Sequence, residues 1–405
     1  MPPESFPSFL ADTGRHARHW LFESALPLWW ERGADHEGGG FHEKLGQDGL
    51  PIGKPVRVRV QARQTYVYAR AGALGWSGPW QAAMRHGLSF MLSRYPRPDG
   101  LFRSTLDTRD ESIDLYDQAF VLFALAHAYE AEGRPRELLD TAQALLRQIE
   151  AALAHGEGGY YDGLPQQPIL KSNPLMHLLE ALLAWVAVGV EGRFRPAALA
   201  LCELATARLI HPGNRANRAI GELFTAGWAP LGTPQERLYE PGHQFEWAYL
   251  LLQAEGLLGI HARSEAIALE NFGRSFGIDN ERQVALFAVD EAGKPTDRRA
   301  RLWAQTERLR TSLLFATQGL GDTASTQAFQ AAAAGSFTGL MRFLATDIPG
   351  LWHEWQREDG GFDLAPSPAS SLYHLMTGLE GLLAFASPLT PAAHRAGLVE
   401  RTITA

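Results

Sequence analysis

Three histidines stand near the starts of three separate amphipathic stretches, each within a few residues of a turn-forming Pro, Gly or Ser. They are His177 in Asn173-Pro174-Leu175-Met176-His177, His243 in Pro241-Gly242-His243, and His374 in Ser370-Ser371-Leu372-Tyr373-His374. A helix start points free N–H groups outward and carries partial positive charge. An imidazole placed there is biased towards its neutral form, which acts as a base near neutral pH. Three such placements suggest one shared mouth. Two of the histidines have a carboxylate three residues on, Glu180 after His177 and Glu246 after His243. Residues at that spacing lie on one helix face and can touch. Each carboxylate is therefore expected to fix the tautomer of its imidazole and leave the other ring nitrogen free to move a proton.

Further polar and aromatic residues occupy the beginnings of alternate helical stretches: Arg63, Tyr116 and Asp117, Trp303 and Glu307. An arginine entering a funnel can clamp a hydroxyl, a carboxylate or a developing enolate oxygen. Tryptophan rings suit the apolar faces of sugars as well as helix packing. Two His-x-x-Glu units on facing helices are also a possible ligand set for a metal. The His-Glu-x-x-His spacing of zinc hydrolases is missing, however, and no metal or other cofactor is expected. Gly38-Gly39-Gly40 does not open a helix after a strand, so no phosphate loop is indicated, and there is no Gly-x-Ser-x-Gly elbow.

The elements that must position these residues read as helical almost throughout. Apolar residues recur at helical spacing over 6–30, 61–75, 79–95, 115–132, 136–154, 174–190, 195–210, 242–257, 262–276, 301–317, 323–345, 371–386 and 390–402. The alternation before Gln61 reads as extended. Between the helices lie Gly-aromatic loops, such as Gly38-Gly39-Gly40-Phe41 and Asp359-Gly360-Gly361-Phe362, that read as turns or short hairpins. Short links alternate with longer ones, so the helices come in pairs. The expectation is an all-α toroid in one domain over residues 1–405, with the starts of its inner helices converging on one face. An open solenoid of helix pairs that binds a protein is the alternative.

Composition narrows the partners. The net charge is 37 − 45 = −8 with no basic run, which argues against nucleic acid and against an anionic membrane surface. No apolar stretch reaches the roughly 20 residues that span a bilayer. The N-terminus shows no basic region followed by an apolar run, so a soluble cytoplasmic protein is expected. The single Cys202 rules out an internal disulfide and reads as a buried helical residue. No coiled-coil heptads set an oligomeric state, and a monomer or homodimer is expected.

Together the motifs resemble the N-acylglucosamine 2-epimerase superfamily. The matching stretches are Val58-Arg59-Val60-Gln61-Ala62-Arg63-Gln64-Thr65-Tyr66, Tyr116-Asp117-Gln118-Ala119-Phe120, Asn173 to Ala181, Pro241 to Trp247 and Ser370 to Leu375. The Gly-His-x-x-Glu-Trp form is similar to the mannose and sulfoquinovose isomerase branch, while Arg59 stands where several relatives carry Trp. The resemblance implies an (α/α)6 barrel with short hairpins in its loops, metal-independent chemistry and a monosaccharide substrate. It implies catalytic histidines at His243 and His374, supported by Arg63 and His177. The implied reaction is interconversion of D-mannose and D-fructose through a cis-enediolate, with a sugar 2-epimerase as the alternative.

Under that reading His374 removes the carbon-2 proton, Arg63 holds the enediolate oxygen, His177 assists ring opening and Glu246 orients His243. Tyr116, Asp117, Glu180, Trp303 and Glu307 complete the expected sugar site. A glycoside hydrolase would instead use two carboxylates, Asp117 with Glu246 or Glu307. A sugar- or protein-binding toroid would show affinity without turnover.

Overall fold

The computed structural model describes residues 5–54, 56–210, 218–320 and 323–386. Helix α1 (Phe6–His19) runs through π-helical turns into the short α2 (Leu26–Leu28). Five helix pairs follow. They are α3 (Val58–Ala73) with α4 (Trp80–Arg94), α5 (Leu115–Ala131) with α6 (Arg136–Leu153), and α7 (Ser172–Ala187) with α8 (Phe194–Leu204). Next come α9 (Pro241–Leu258) with α10 (Arg263–Phe276), and α11 (Leu302–Gln318) with α12 (Thr323–Phe343). Last is α13 (Leu372–Leu383), which packs back on α1.

The odd-numbered helices from α3 to α13 form a closed inner ring. Each touches the next, and α13 returns to α3. With their six outer partners they make an (α/α)6 barrel. The sequence dictates this layering. On α6 the buried residues Leu138, Ala142, Leu145, Leu146, Ile149 and Leu153 recur every three or four positions, so one face is covered and the other stays wet. Each such leucine contributes on the order of 2 kcal/mol relative to exposure. On α5 and α9 apolar residues surround the axis, and such a helix must sit between others. Gly14 closes the seam: a Cβ there would lie 2.5 Å from the Leu382 carbonyl oxygen on α13, so α1 approaches α13 more closely than a side chain allows.

The strands are two or three residues long and stitch the mouth. The segment before each inner helix pairs with the segment before the next. Arg57 bridges to Thr105, Ile113–Asp114 pairs with Gly163–Leu164, and Leu170–Lys171 with Leu223–Phe224. Tyr239 bridges to Val289, Ala300–Arg301 pairs with Trp355–Gln356, and Lys44–Leu45 with Ser367–Pro368. A belt of antiparallel contacts thus runs right round the inner-helix starts.

Four glutamines lock that belt to the helices. Gln61, Gln118, Gln244 and Gln305 each sit in a first turn and grip one loop residue through both amide atoms. Gln61 accepts from the Phe41 N–H at 2.7 Å and donates to the Phe41 carbonyl at 2.9 Å. Phe102, Ile220 and Ala285 are held the same way. This grip explains one departure from the sequence reading. Helix α3 starts at Val58 rather than after an extended run, because Gln61 must already be helical to reach Phe41. The expected helix over 390–402 lies outside the described residues. Cys202 is buried on α8, as expected. No helix among the described residues is long and apolar enough to cross a membrane.

Candidate active site

The inner-ring starts bring the three histidines together with Trp303 and Arg63. The indole of Trp303 lies between two of the imidazoles: ring centroids are 4.7 Å apart for His243 and 5.7 Å for His374. Gly242 makes this possible, since a Cβ there would meet the indole at 2.6 Å. His177 packs edge-on against Tyr116, with centroids 4.9 Å apart. Arg63 on α3 donates to the Tyr116 hydroxyl at 2.5 Å and to the Ser370 carbonyl at 3.2 Å. Its guanidinium lies 4.0 Å from the Phe120 ring centroid, and its Nε has no hydrogen-bond partner among the described residues.

Each imidazole is held at Nδ1 by a carboxylate. His374 Nδ1 is 2.8 Å from Glu307 Oε1, and His177 Nδ1 is 3.2 Å from Glu180 Oε2. His243 Nδ1 is 2.9 Å from both oxygens of Glu222. No described residue hydrogen-bonds Nε2 of any of the three, so this nitrogen is free to exchange a proton.

The pairing of His177 with Glu180 follows the sequence reading, and that of His243 does not. Glu246 sits behind His177, 3.8 Å from its Nδ1, and 3.5 Å from Arg310. It therefore cannot orient His243, and Glu222 takes that role. The side chain three residues on turns into the barrel, where Arg310 supplies its counter-charge.

Environment drives the two outer imidazoles apart in proton affinity. Burial pushes His374 well below the usual imidazole range, and Arg63, His177, Arg310 and Arg301 add to the fall. Burial also disfavours charge on His243, but Glu222 and Glu240 outweigh it and raise its pKa to about 10. The expected bias of a helix start towards neutral imidazole therefore fails at His243. A helix terminus is worth about 0.3–1 kcal/mol. A unit charge about 4 Å away is worth about 4 kcal/mol at an effective dielectric of 20, and His243 has Glu222 at 2.9 Å and Glu240 at 3.9 Å. Glu240 in turn is raised to about 7, by burial first and by Glu222.

The remaining expected residues stand one layer back. Asp117 is fully buried and both its oxygens are taken by Arg59, at 2.5 and 3.1 Å. Burial raises it to about 6 against the pull of Arg59. Arg59 also binds Asp114, so its charge is neutralised by two carboxylates. Glu307 is fully buried between His374 and Arg310. Burial pushes its carboxyl well up, while Arg310 pulls it back. Glu180 is held below the usual carboxylate value despite burial, because His177, Arg310 and the Tyr373 hydroxyl all favour its charge.

Four participants escaped the sequence reading: Glu222, Glu240, Arg310 and Glu354. Glu354 accepts from Ser371 at 2.8 Å and from Arg301 at 2.8 Å, tying the start of α13 to that of α11. Arg310 and Glu240 left a signal, their i,i+3 spacing from Glu307 and from His243. Ligand atoms of Glu246, Glu307 and His374, and of His177, Glu180 and Glu246, lie within 4.8 Å of one another, as do those of Glu222, Glu240 and His243. In the first two groups the Arg310 guanidinium already supplies the positive charge.

Paired histidines and an arginine at the mouth of a helical barrel are groups able to move protons and hold a developing oxyanion. Comparison with known proteins gives the class. Residues 39–378 match the N-acylglucosamine 2-epimerase (GlcNAc 2-epimerase) family, and the chain belongs to it. It is a carbohydrate isomerase or epimerase. It is 38% identical over 368 residues to a mannose-6-phosphate isomerase of Rhizobium meliloti (strain 1021), covering 89% of this chain and 94% of that one. It is 28% identical over 336 residues to a D-mannose isomerase of Pseudomonas cannabina pv. alisalensis, covering 75% and 78%. Its fold superposes on cellobiose 2-epimerase from Spirochaeta thermophila DSM 6192 with a TM-score of 0.82 at 20% identity, covering 95% of this chain and 99% of that one.

Proposed function

We propose that the chain interconverts free D-mannose and D-fructose through a cis-enediolate, with side chains moving the protons. The observation that carries this reading is the split between two histidines sharing one indole. His374 is a neutral base, and His243 is held as an acid. Groups whose environments push their pKa values apart mark acid and base roles.

In the open-chain sugar, Nε2 of His374 takes the proton from carbon 2. The electron pair forms the carbon 1–carbon 2 double bond, and oxygen 1 takes the charge. His243 donates a proton to oxygen 1, and Arg63 stabilises the developing oxyanion. His374 then returns its proton to carbon 1 while oxygen 2 gives one back to His243, and the ketose results. His177 assists ring opening. Delivery of a proton to the opposite face of carbon 2 by His243 would give the 2-epimer instead, and the same two histidines support that second outcome.

The mouth supports an uncharged sugar. Arg57, Arg59 and Arg301 are each engaged by carboxylates, and among the described residues Arg63 has none. The hydrolase alternative has little support, since Asp117 is sealed by Arg59 and Glu246 and Glu307 face Arg310.

A proton NMR time course with D-mannose in heavy water, with chelator present, tests the reading. Fructose is the expected first product. Glucose first, with deuterium at carbon 2, would make the enzyme a 2-epimerase. No conversion of mannose would overturn the substrate assignment.

A further inference from the structure

Beneath the histidines lies a buried charge cluster that the proton steps above do not use. The Arg310 side chain on α11 is 5% exposed. Its Nε contacts Glu307 Oε2, Nη1 lies 3.6 Å from Glu180 Oε1, and Nη2 lies 3.5 Å from Glu246 Oε1. The guanidinium rests 4.3 Å from the Tyr249 ring centroid. Glu307 holds His374 and Glu180 holds His177, so one guanidinium stands behind two imidazoles on two different helices.

The contact between Glu307 Oε1 and His374 Nδ1 has two proton arrangements. A carboxylate accepting Nδ1–H leaves Nε2 with a free lone pair, ready to take a proton. A carboxylic acid donating to Nδ1 leaves the ring proton on Nε2, and the base is gone. Burial favours the second arrangement, because it removes the charge from Glu307. So do Glu246 from α9 and Glu180 from α7, as like charges. Arg310 opposes all three through the other oxygen of the same carboxylate. Around His374, Arg63 from α3, His177 from α7 and Arg301 from the segment before α11 disfavour a second proton on the ring.

We propose that Arg310 is a positioning residue that keeps Glu307 ionised towards His374 and thereby leaves Nε2 of His374 free as the base. The inference rests on the reading of His374 as the carbon-2 base. It also explains why a buried cation that reaches no substrate sits in contact with a partner of the reacting pair.

The test is nitrogen NMR of the sugar-free enzyme labelled with 15N-histidine, with the His374 signal assigned by its loss in His374→Gln. The wild type is expected as the Nδ1–H tautomer at neutral pH. The paired variant Arg310→Met with Glu246→Gln removes one positive and one negative charge, so the buried net charge is unchanged. It is expected to show the Nε2–H tautomer, an acid limb of turnover moved to higher pH, and turnover reduced about 100-fold at neutral pH, the usual scale of lost general-base catalysis. KM should stay within about threefold, because the guanidinium does not bind the sugar. Arg310→Lys keeps the charge and should recover part of the turnover. An Nε2–H tautomer in the wild type overturns the proposal even if the paired variant does not fold. So does an unchanged tautomer and pH profile in a folded paired variant, or a lysine variant no better than the methionine one. Full turnover by His374→Gln would instead sink the base assignment, and the tautomer measurement, which needs no sugar, would stand apart from it.

Discussion

His243 Nδ1 lies 2.9 Å from each carboxylate oxygen of Glu222, a residue on the hairpin before α9. In the proposed mechanism that contact makes His243 the acid. Glu222→Gln keeps the shape and removes the charge, so the imidazolium loses its main support. Activity that needs protonated His243 is present below its pKa of about 10 and lost as pH rises through it. In Glu222→Gln the alkaline limb should move to lower pH, and turnover at neutral pH should fall about 10- to 100-fold. A pH–rate profile with an unmoved alkaline limb would refute the role. The same pair contributes to stability. The folded pKa of His243 is raised, so its contribution is full below the unfolded imidazole value and disappears as pH climbs towards 10. The gap in thermal stability between wild type and Glu222→Gln should therefore narrow over that window.

The two histidines predict different losses. His374→Gln should abolish both turnover and exchange of the carbon-2 proton with solvent, by more than about 1000-fold, with the fold intact by circular dichroism. His243→Gln should also stop net conversion, but slow carbon-2 exchange should persist, because the base remains. Equal exchange in the two variants would mean that the acid and base roles are not divided this way.

The ring of helices was legible in the sequence, because polar residues recur at the starts of alternate apolar helices and a closed ring brings those starts to one face. The pair His177–Glu180 was legible for the same local reason, as its spacing lies within one helix turn. Glu222 was not. Its place beside His243 depends on pairing of Leu170–Lys171 with Leu223–Phe224, which no local pattern encodes. Glu246 had the right spacing and the wrong partner, because a buried arginine on α11 competes for it. Charge state was the least legible property. At equivalent helix starts, burial and nearby cations push His374 below the usual imidazole range, while Glu222 and Glu240 raise His243 above it.

Gly242 carries a prediction about geometry alone. Alanine there would place a methyl group 2.6 Å from the rigid indole of Trp303 and 2.8 Å from the Ala304 side chain. The indole must move, and it is the surface shared by His243 and His374. Gly242→Ala should cost about 1–3 kcal/mol in stability through overpacking. It should also lower kcat at least about 10-fold, since a small displacement of positioned groups is expensive. A variant with lowered melting temperature and unchanged kcat would show that the indole does not set the spacing of the two rings.

The arginines decide how the enzyme treats a phosphorylated sugar. A phosphate dianion needs free guanidinium or N–H donors. Glu43 holds Arg57, Asp114 and Asp117 hold Arg59, and Glu354 holds Arg301. Arg63 remains, but its place between Tyr116, Phe120 and Tyr373 suits the reacting oxygens rather than the far end of the sugar. Recruiting Arg57 or Arg301 for a phosphate would strip Glu43 or Glu354 of its partner and set like charges side by side. kcat/KM for D-mannose should therefore exceed that for D-mannose 6-phosphate by at least about 100-fold, or about 2.7 kcal/mol. The preference should weaken in Glu354→Gln, which frees Arg301. Comparable kcat/KM for the two sugars would show that a cation leaves its carboxylate on binding, and the free-sugar assignment would fall.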